Sequence, residues 1–209
     1  MKKLAIILTL LCAAAFAQKG TFTDSRDSQK YKTVKIGKQT WMAQNLNFKP
    51  ETGSWCYDNN DANCEKYGRL YSFEAAKAAC PAGWRLPSSE EWVKLQTATG
   101  KKTKVCMGPG MCDWEYTGSA KKLKAKTGWS KDDTSLAEAG SVNGTDNHGF
   151  SALPAGKFDK GKFLGIGSST CWAWSDGESN SGMGAPGQNS LDDLDYCGAD
   201  GLSIRCIKN

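Results

Sequence analysis

The sequence predicts an α+β domain that is stapled by disulfide bonds. Three observations lead to this prediction. The apolar patterns run in the order hairpin, two short helices, then strands joined by long loops. The cysteines that follow an N-terminal export signal are even in number. The chain also contains 23 glycines and 8 tryptophans in 209 residues, which is typical of a loop-rich fold with aromatic anchors.

Residues 1–17 have the pattern of a cleaved secretory signal peptide. Lys2 and Lys3 form a positive start, an apolar stretch follows, and residues 15–17 (AFA) are a small-residue cleavage site. The alternative is a lipoprotein signal in which Cys12 is the lipidated residue, but the large residue before Cys12 disfavours it. The apolar stretch is too short to cross a bilayer, and no later segment has the run of about 20 apolar residues that a membrane helix needs. We therefore expect a secreted or cell-surface protein without a transmembrane segment in its mature part.

The start of the mature chain is predicted to be flexible. Residues 18–32 are polar and have no apolar period, so we expect a flexible N-terminal lead-in followed by one domain over residues 33–209. The domain opens with residues 33–42 (TVKIGKQTWM), which alternate around a turn at Gly37 and Lys38. This pattern predicts a β-hairpin whose inner face enters the core.

Two short helices are predicted next. The first covers residues 72–79 (SFEAAKAA), with Ser72 at the capping position and Pro81 ending it. In the second, Ser88 and Glu91 have the spacing of a capping box. Both helices are short, and we expect each to bury one small face.

The second half of the chain predicts strands and loops. From residue 101 onwards glycine recurs and no long helical period appears. Residues 175–195 are poor in apolar side chains and rich in Gly, Ser, Asn and Asp. Since long structureless stretches are usually functional or mobile, a ligand is expected there first. The short apolar runs that predict strands are residues 150–153, 163–166, 171–174 and 202–207.

The cysteines predict a disulfide framework. Nine are present, and eight remain once Cys12 leaves with the leader. An even number in an exported chain indicates disulfides, although spacing only suggests the partners. The suggested pairs are Cys56 with Cys64, Cys80 with Cys206, Cys106 with Cys112, and Cys171 with Cys197.

Composition disfavours two classes of partner. A zinc site is not expected, because no two cysteines have CxxC spacing and His148 is the single histidine. Nucleic acid is not expected either. Without Lys2 and Lys3 the chain has 25 basic and 22 acidic residues, a net charge of +3 that is spread over short clusters.

Five segments carry a family resemblance. They are TVKIGKQTWMAQNLNF, YGRLYSFEAAKAACPAGWRLPSSEEW, DNHGFSALPAGKF, CWAWSD and LSIRCIKN. Together, in this order, they resemble the Fibrobacter succinogenes major paralogous domain family over roughly residues 33–207. No biochemical activity is established for the family, so the resemblance implies a location and a shape rather than a mechanism.

A second resemblance concerns the fold. The helix that ends at Cys80, the GWRLP turn, the EW helix, the WAWSDG segment and the last cysteine are similar to a C-type lectin-like domain. Formylglycine-generating enzymes share that architecture. The resemblance implies two short helices, a small twisted antiparallel sheet and long loops, and it implies a bond between Cys80 and Cys206. A shared fold does not determine function.

The predicted ligand site combines aromatic rings with oxygen-bearing side chains. Sugar rings stack on aromatic faces while amides and carboxylates bond their hydroxyls. Trp41, Trp84 and Trp92 are assigned to the core instead. The predicted ligand-binding residues are Trp114, Trp129, Trp174, Asp176, Asn189, Asp192 and Asp193.

Calcium is the one candidate cofactor, and none is required. Calcium takes about six to eight oxygen ligands, and Asp192, Asp193 and Asp195 could supply part of that set. The Glu-Pro-Asn or Gln-Pro-Asp tripeptide of sugar-binding lectin-like domains is missing from the sequence. A solvated acidic loop is therefore the alternative interpretation.

The sequence offers little for catalysis. A glycosidase needs two facing carboxylates roughly 5 to 10 Å apart, whereas Glu90 and Glu91 are adjacent on one predicted helix and diverge. A serine triad would have to use His148, and no Gly-x-Ser-x-Gly motif is present. An oxidase of the formylglycine-generating type would need two free thiols.

We therefore predict an exported noncatalytic binding module. Polysaccharide is the favoured ligand, and a cell-surface protein is the other candidate partner. A structural or protein-protein adhesion module is the first alternative. The second is an enzyme of unknown type, either glycan-acting or similar to a formylglycine-generating oxidase.

Overall fold

The computed structural model describes most of the chain after the predicted leader. The described residues are 18–106, 112–130, 143–176, 181–185 and 195–209, with the backbone only for residues 105, 106, 112–115, 181–185, 195 and 196. The predicted signal peptide lies outside them, and so do Asn189, Asp192 and Asp193.

The described residues contain both helices and strands, which confirms a mixed α and β fold. No helix among them combines the length and the apolar character of a membrane span. The C-type lectin-like architecture stays a prediction. The helices are α1 (Asp61–Tyr67), α2 (Phe73–Ala79), α3 (Ser89–Thr99) and α4 (Ser119–Leu123), with a 3-10 turn at Tyr57–Asn59. The strands are β1 (Gln18–Thr23), β2 (Lys30–Ile36), β3 (Gln39–Met42), β4 (Ser54–Trp55), β5 (Leu70–Tyr71), β6 (Trp84–Arg85), β7 (Lys101–Cys106), β8 (Cys112–Thr117), β9 (Ala155–Asp159), β10 (Lys162–Ile166), β11 (Thr170–Ala173), β12 (Ser181–Ala185), β13 (Asp195–Gly198), β14 (Leu202–Ser203) and β15 (Ile207–Lys208).

The first sheet has the strand order β1-β2-β3-β15-β6. β2 and β3 form the predicted hairpin, with Val34 opposite Trp41. The turn contains Gly37 at a φ of 58°, a conformation that a residue without Cβ adopts easily. The last strand, β15, pairs with both β3 and β6, so the end of the chain closes the sheet beside the N-terminal hairpin.

The predicted flexible lead-in is wrong for the segment that forms β1. This strand pairs antiparallel with β2, from Gln18 opposite Lys35 to Thr23 opposite Lys30. Its side chains are mostly exposed, and Phe22 alone packs against the core, with its ring 5.2 Å from that of Trp84. No apolar period revealed the strand because backbone pairing, rather than side-chain burial, holds this sheet edge in place.

The second sheet has the order β10-β9-β11-β14-β5-β4, and β12 and β13 extend it beside β11. Most pairs are antiparallel, but β11 runs parallel to both β9 and β14. A single bridge between Phe158 of β9 and Gly201 brings the β9–β10 hairpin next to the segment before β14. This bridge places the hairpin close to β4.

Both predicted helices are present. Ser72 caps α2, and Ser88 with Glu91 forms a complete capping box at the start of α3. Helix α1 was not predicted, because the polar stretch after its Asn60 cap buries only Cys64 and Tyr67 and displays no apolar face.

Two clusters of buried side chains form the core. In the first, the rings of Trp41, Trp92, Phe150 and Trp172 meet, and we call this group the core aromatic cluster. The ring of Trp92 lies 4.9 Å from that of Trp41 and 5.4 Å from that of Trp172. Trp41, Trp84 and Trp92 are all buried, which confirms their assignment to packing. The second cluster includes Tyr31, Met42, Leu46, Tyr71, Leu202 and Ile204.

Three of the suggested disulfides are present: Cys56–Cys64, Cys80–Cys206 and Cys171–Cys197. The Cys80–Cys206 bond links the end of α2 to the residue before β15 across 126 positions. In the chain-entropy picture a closed loop of this length stabilises the fold by roughly 5 kcal/mol. Cys106 and Cys112 face each other across the β7–β8 hairpin, but their side chains are outside the described part.

Candidate functional site

Trp129 does not belong to an open ligand site, which corrects the sequence prediction. Its side chain is only 5% exposed, and its ring Nε1 donates to the carbonyl oxygen of Ala152 at 3.0 Å. The Lys124 ammonium lies 4.4 Å from the ring centroid. The surrounding sequence is polar, but the segment after α4 folds back onto the first core cluster and carries Trp129 with it.

Trp174 and Asp176 both make contacts within the fold. Trp174 is half-buried and packs against the first core cluster. The Asp176 carboxylate accepts hydrogen bonds from Ser89 N at 2.7 Å and from Ser89 Oγ at 2.6 Å. Burial raises the pKa of the Asp176 carboxyl, but the bonds from Ser89 outweigh this effect and leave the pKa below its usual range. Asp176 therefore anchors the segment after β11 to the start of α3.

The other predicted site residues are not described at the side-chain level. Trp114 lies opposite Lys104 in the β7–β8 hairpin, and Asp195 begins β13 opposite Gly184. Asn189, Asp192 and Asp193 are outside the described residues. Within the part of the chain that is described, no group of three or more His, Cys, Asp or Glu side chains could hold a metal ion. A calcium site at Asp192, Asp193 and Asp195 stays a prediction.

A separate group of aromatic rings lies outside both core clusters. The Trp55 ring stacks on Phe158 at 4.7 Å with 25° between the planes. Phe163 lies 4.9 Å from Phe158 and 5.2 Å from Tyr57. Tyr57 is buried, whereas Trp55, Phe158 and Phe163 are half-buried. We call these four residues the aromatic patch.

Local sequence explains how the aromatic patch is built. Phe158 and Phe163 face each other across the β9–β10 hairpin, which turns at Lys160 and Gly161 with φ angles of 48° and 77°. Cross-strand aromatic pairs of this kind stabilise a hairpin. A Cβ at Gly201 would lie 3.0 Å from Phe158 Cβ and 3.2 Å from the Trp55 ring, so a larger residue there would have to displace these side chains.

Polar groups border the aromatic patch and are held by hydrogen bonds. Lys157 Nζ donates to the Gly198 carbonyl oxygen at 3.1 Å. The backbone N–H of Lys160 donates to Asp200 Oδ2 at 2.8 Å. On the other side, Arg69 Nε donates to Ser54 Oγ at 2.9 Å, next to the Cys56–Cys64 bond. The patch is therefore an aromatic surface with a hydrogen-bonded polar edge.

A polar cleft with a volume of about 280 Å³ lies elsewhere on the molecule. Its walls are the start of β2, the segment that follows β3, the last turn of α1 and the loop around Ser151. Side-chain amides line much of it, namely those of Gln29, Gln44, Asn45 and Asn47. We refer to it as the polar cleft.

Arg205 is fully buried behind the polar cleft. Its guanidinium donates to Asn45 Oδ1 from Nε at 3.1 Å and from Nη2 at 2.9 Å, and also to the carbonyl oxygen of Phe150. Burial lowers the pKa of Arg205 to about 9, and the charge of Asp146 opposes this shift. The same Asn45 oxygen accepts from Trp172 Nε1 at 2.9 Å. Asn45 thus joins the wall of the cleft to a buried cation.

Comparison with models of protein families identifies the family of this chain. A family model described as the Fibrobacter succinogenes major domain matches residues 34–208. The chain belongs to this family. The match begins inside β2, so β1 and the first residues of β2 precede the Fibrobacter succinogenes major domain. No curated protein and no solved structure matched the chain.

The sequence patterns of this family member mark neither candidate site as a unit. Phe158 ends the segment DNHGFSALPAGKF and Phe163 begins the predicted strand 163–166, but no pattern connects either residue with Trp55 and Tyr57. Their spacing around Lys160 and Gly161 is a hairpin signal that could have been used, since turn residues here separate two aromatic positions. The polar cleft had no comparable signal, because its walls come from distant parts of the chain.

Proposed function

We propose that this protein is an exported noncatalytic binding module that holds carbohydrate on the aromatic patch. The observation that carries the proposal is the half-buried state of Trp55, Phe158 and Phe163, which lie outside both core clusters. Aromatic side chains that only stabilise a domain are normally packed into its core. These three keep part of their ring surface in contact with solvent.

The chemistry of the patch suits a sugar ring. The C–H faces of a sugar pack on aromatic rings, and nearby polar groups bond its hydroxyls. Here stacked and tilted rings at 4.7 and 4.9 Å supply the apolar surface. Lys157, Lys160 and Asp200 supply polar groups at its edge. This mode of binding requires no metal ion.

Export is part of the proposal and is supported by the disulfides. Three disulfide bonds in a domain of this size are expected where the environment is oxidising, because the cytosol keeps thiols reduced. The Cys56–Cys64 bond follows Trp55 directly and braces the segment that carries it. The family has no known function and therefore supplies no ligand.

The test is retention of the purified oxidised protein on a panel of plant and bacterial polysaccharides, with calcium and with a chelator. We expect saturable binding that survives chelation. Phe163→Ala should weaken it by about tenfold or more, because stacking on one ring contributes roughly 1 to 3 kcal/mol to related recognition. Trp55→Ala should have a similar effect.

Val93→Ala is the matched control. Val93 is 38% exposed on α3, far in sequence from the patch, and its loss should leave binding unchanged. Each variant should keep the circular-dichroism spectrum of the parent. If no polysaccharide is retained, or if retention is lost on chelation alone, the proposal that the aromatic patch binds carbohydrate is wrong.

A protein-protein adhesion role is the second candidate, and Leu164 favours it. This residue is 42% exposed on β10, on the face of the strand opposite Phe163. Contiguous exposed apolar patches mark contacts with other proteins, and Leu164 is the most exposed large apolar side chain of the described residues. Leu164→Ser separates the two roles: it should impair adhesion to a cell-surface protein and leave polysaccharide retention intact. An oxidase of the formylglycine-generating type would instead show titratable thiols in the native protein.

A further inference from the structure

The polar cleft has the dimensions of a small ligand site. Its volume of about 280 Å³ is near the lower end of the range of roughly 300 to 1,000 Å³ for ligand pockets. Four separate elements of the fold form its walls, so the cleft exists only in the folded protein. It contains none of the four residues of the aromatic patch.

One acceptor in the lining lacks a partner. Among the described residues, Asn47 Oδ1 is buried and has no hydrogen-bond partner. A buried acceptor without a donor destabilises the free protein. The backbone N–H of Asn47 is different, because it donates to Tyr31 Oη at 3.1 Å. A ligand hydroxyl that reaches this oxygen would satisfy it without breaking an existing hydrogen bond.

The charge around the cleft is positive. Lys32 and Lys66 line it, and no carboxylate of the described residues forms an ion pair with either ammonium group. Lys66 Nζ lies 4.7 Å from the ring centroid of Tyr67, another lining residue. Glu65 is the one acidic side chain in the lining, and the Arg205 cation lies directly behind Asn45.

We propose that the polar cleft is a second binding site, selective for a sugar that carries a carboxylate, such as a uronic acid. The carboxylate binds the ammonium groups of Lys32 and Lys66, and a ring hydroxyl donates to Asn47 Oδ1. The Gln29 amide and the Gln44 side-chain NH2, whose oxygen already accepts from Lys32 N, serve the remaining hydroxyls. This inference rests on carbohydrate being the ligand class, and it adds a separate site and the charge of the sugar.

The experiment is isothermal titration of the oxidised protein with a short oligogalacturonate and with a neutral oligosaccharide of the same length. We expect the acidic ligand to bind more tightly by about tenfold or more in low salt, with a smaller preference as ionic strength rises. The variant Lys32→Gln with Lys66→Gln should remove that preference. The control Lys35→Gln with Lys208→Gln removes two exposed lysines outside the cleft and should keep it.

Asn47→Ala separates binding from folding. Because Asn47 Oδ1 has no partner in the free protein, its removal should leave the Tm unchanged or raise it. The affinity for oligogalacturonate should nevertheless fall several-fold. A lower Tm with unchanged affinity would show that Asn47 is only a structural residue and would overturn its assigned role.

Two results would overturn the proposal as a whole. One is equal affinity of the Lys32 and Lys66 double variant and the parent for oligogalacturonate. The other is competition by polyglutamate as strong as competition by oligogalacturonate, which would mean attraction to any polyanion. If oligogalacturonate binding depends on Phe163 and not on the two lysines, the aromatic patch proposal survives alone. Dependence on the lysines and not on Phe163 would support the cleft alone.

Discussion

The core aromatic cluster and the aromatic patch contain the same kinds of side chain and differ in what covers them. The cluster is enclosed by β2, β3, α3 and β11, and all of its rings are fully buried. The patch is supported by β4 and the β9–β10 hairpin, and three of its four rings stay half-buried. The number of elements packed around a ring, rather than its residue type, determines whether it stabilises the fold or can contact a ligand.

The largest expected effect compares a disulfide of the second core cluster with the disulfide beside the aromatic patch. Replacing both Cys80 and Cys206 by Ala should lower the free energy of unfolding by roughly 5 kcal/mol, because that bond closes a loop across 126 positions. Replacing Cys56 and Cys64 should cost roughly 2 to 3 kcal/mol, because their separation is 8. Urea denaturation under oxidising conditions measures both. Equal losses would contradict the loop-length argument.

The second prediction compares one ring from each region. Trp172→Ala should destabilise the protein by about 3 to 5 kcal/mol, since Trp172 is fully buried and its Nε1 donates to Asn45. Phe163→Ala should cost only about 1 to 2 kcal/mol, because its ring is half-buried. The midpoint of chemical denaturation gives the ranking. A larger loss for Phe163 would mean that the aromatic patch is a core and not a binding surface.

The smallest effect concerns the cap that positions Trp92 in the core aromatic cluster. Hydrogen bonds from Arg85 to Glu91 at 2.6 and 2.7 Å are the main cause of the lowered pKa of Glu91, and burial partly opposes them. Because the folded pKa is lower than the unfolded one, this stabilisation is present above about pH 4.5 and is lost as the pH falls through the folded pKa.

Glu91→Gln tests this cap. Glutamine keeps the bond to Ser88 N but loses the charge, so the variant should be less stable by about 0.5 kcal/mol at neutral pH. Unfolding in urea at neutral and at acid pH should show the difference disappearing in acid. A difference that persists at acid pH would show that charge is not its source.

Particular residues show how far sequence reasoning extends in this protein. Ser88 and Glu91 form the capping box that their spacing predicted, and the β2–β3 hairpin turns at Gly37 as expected. These features depend on neighbours a few positions away. The prediction for β1 was wrong because backbone pairing holds this strand. The prediction for Trp129 was wrong because its burial depends on a segment after α4 that folds back onto the core.

The candidate sites were less predictable than the fold. Phe158 lies more than a hundred residues after Trp55 in the sequence. The two rings meet only because the bridge to Gly201 brings the β9–β10 hairpin next to β4. The polar cleft joins residues from β2, α1 and the loop around Ser151 in the same way. No local period or short motif contains this information.

Sequence patterns were enough to predict the mixed fold class, the two capped helices, the hairpin, the family and three disulfide pairings. Each depends on short-range patterns or on a distinctive order of motifs. The folded structure was needed to learn which aromatic rings are buried, that Lys32 and Lys66 line one cleft, and that Asn47 Oδ1 has no donor. Those properties arise when distant segments pack together, because burial and hydrogen-bond satisfaction belong to the folded chain and not to any one stretch of it.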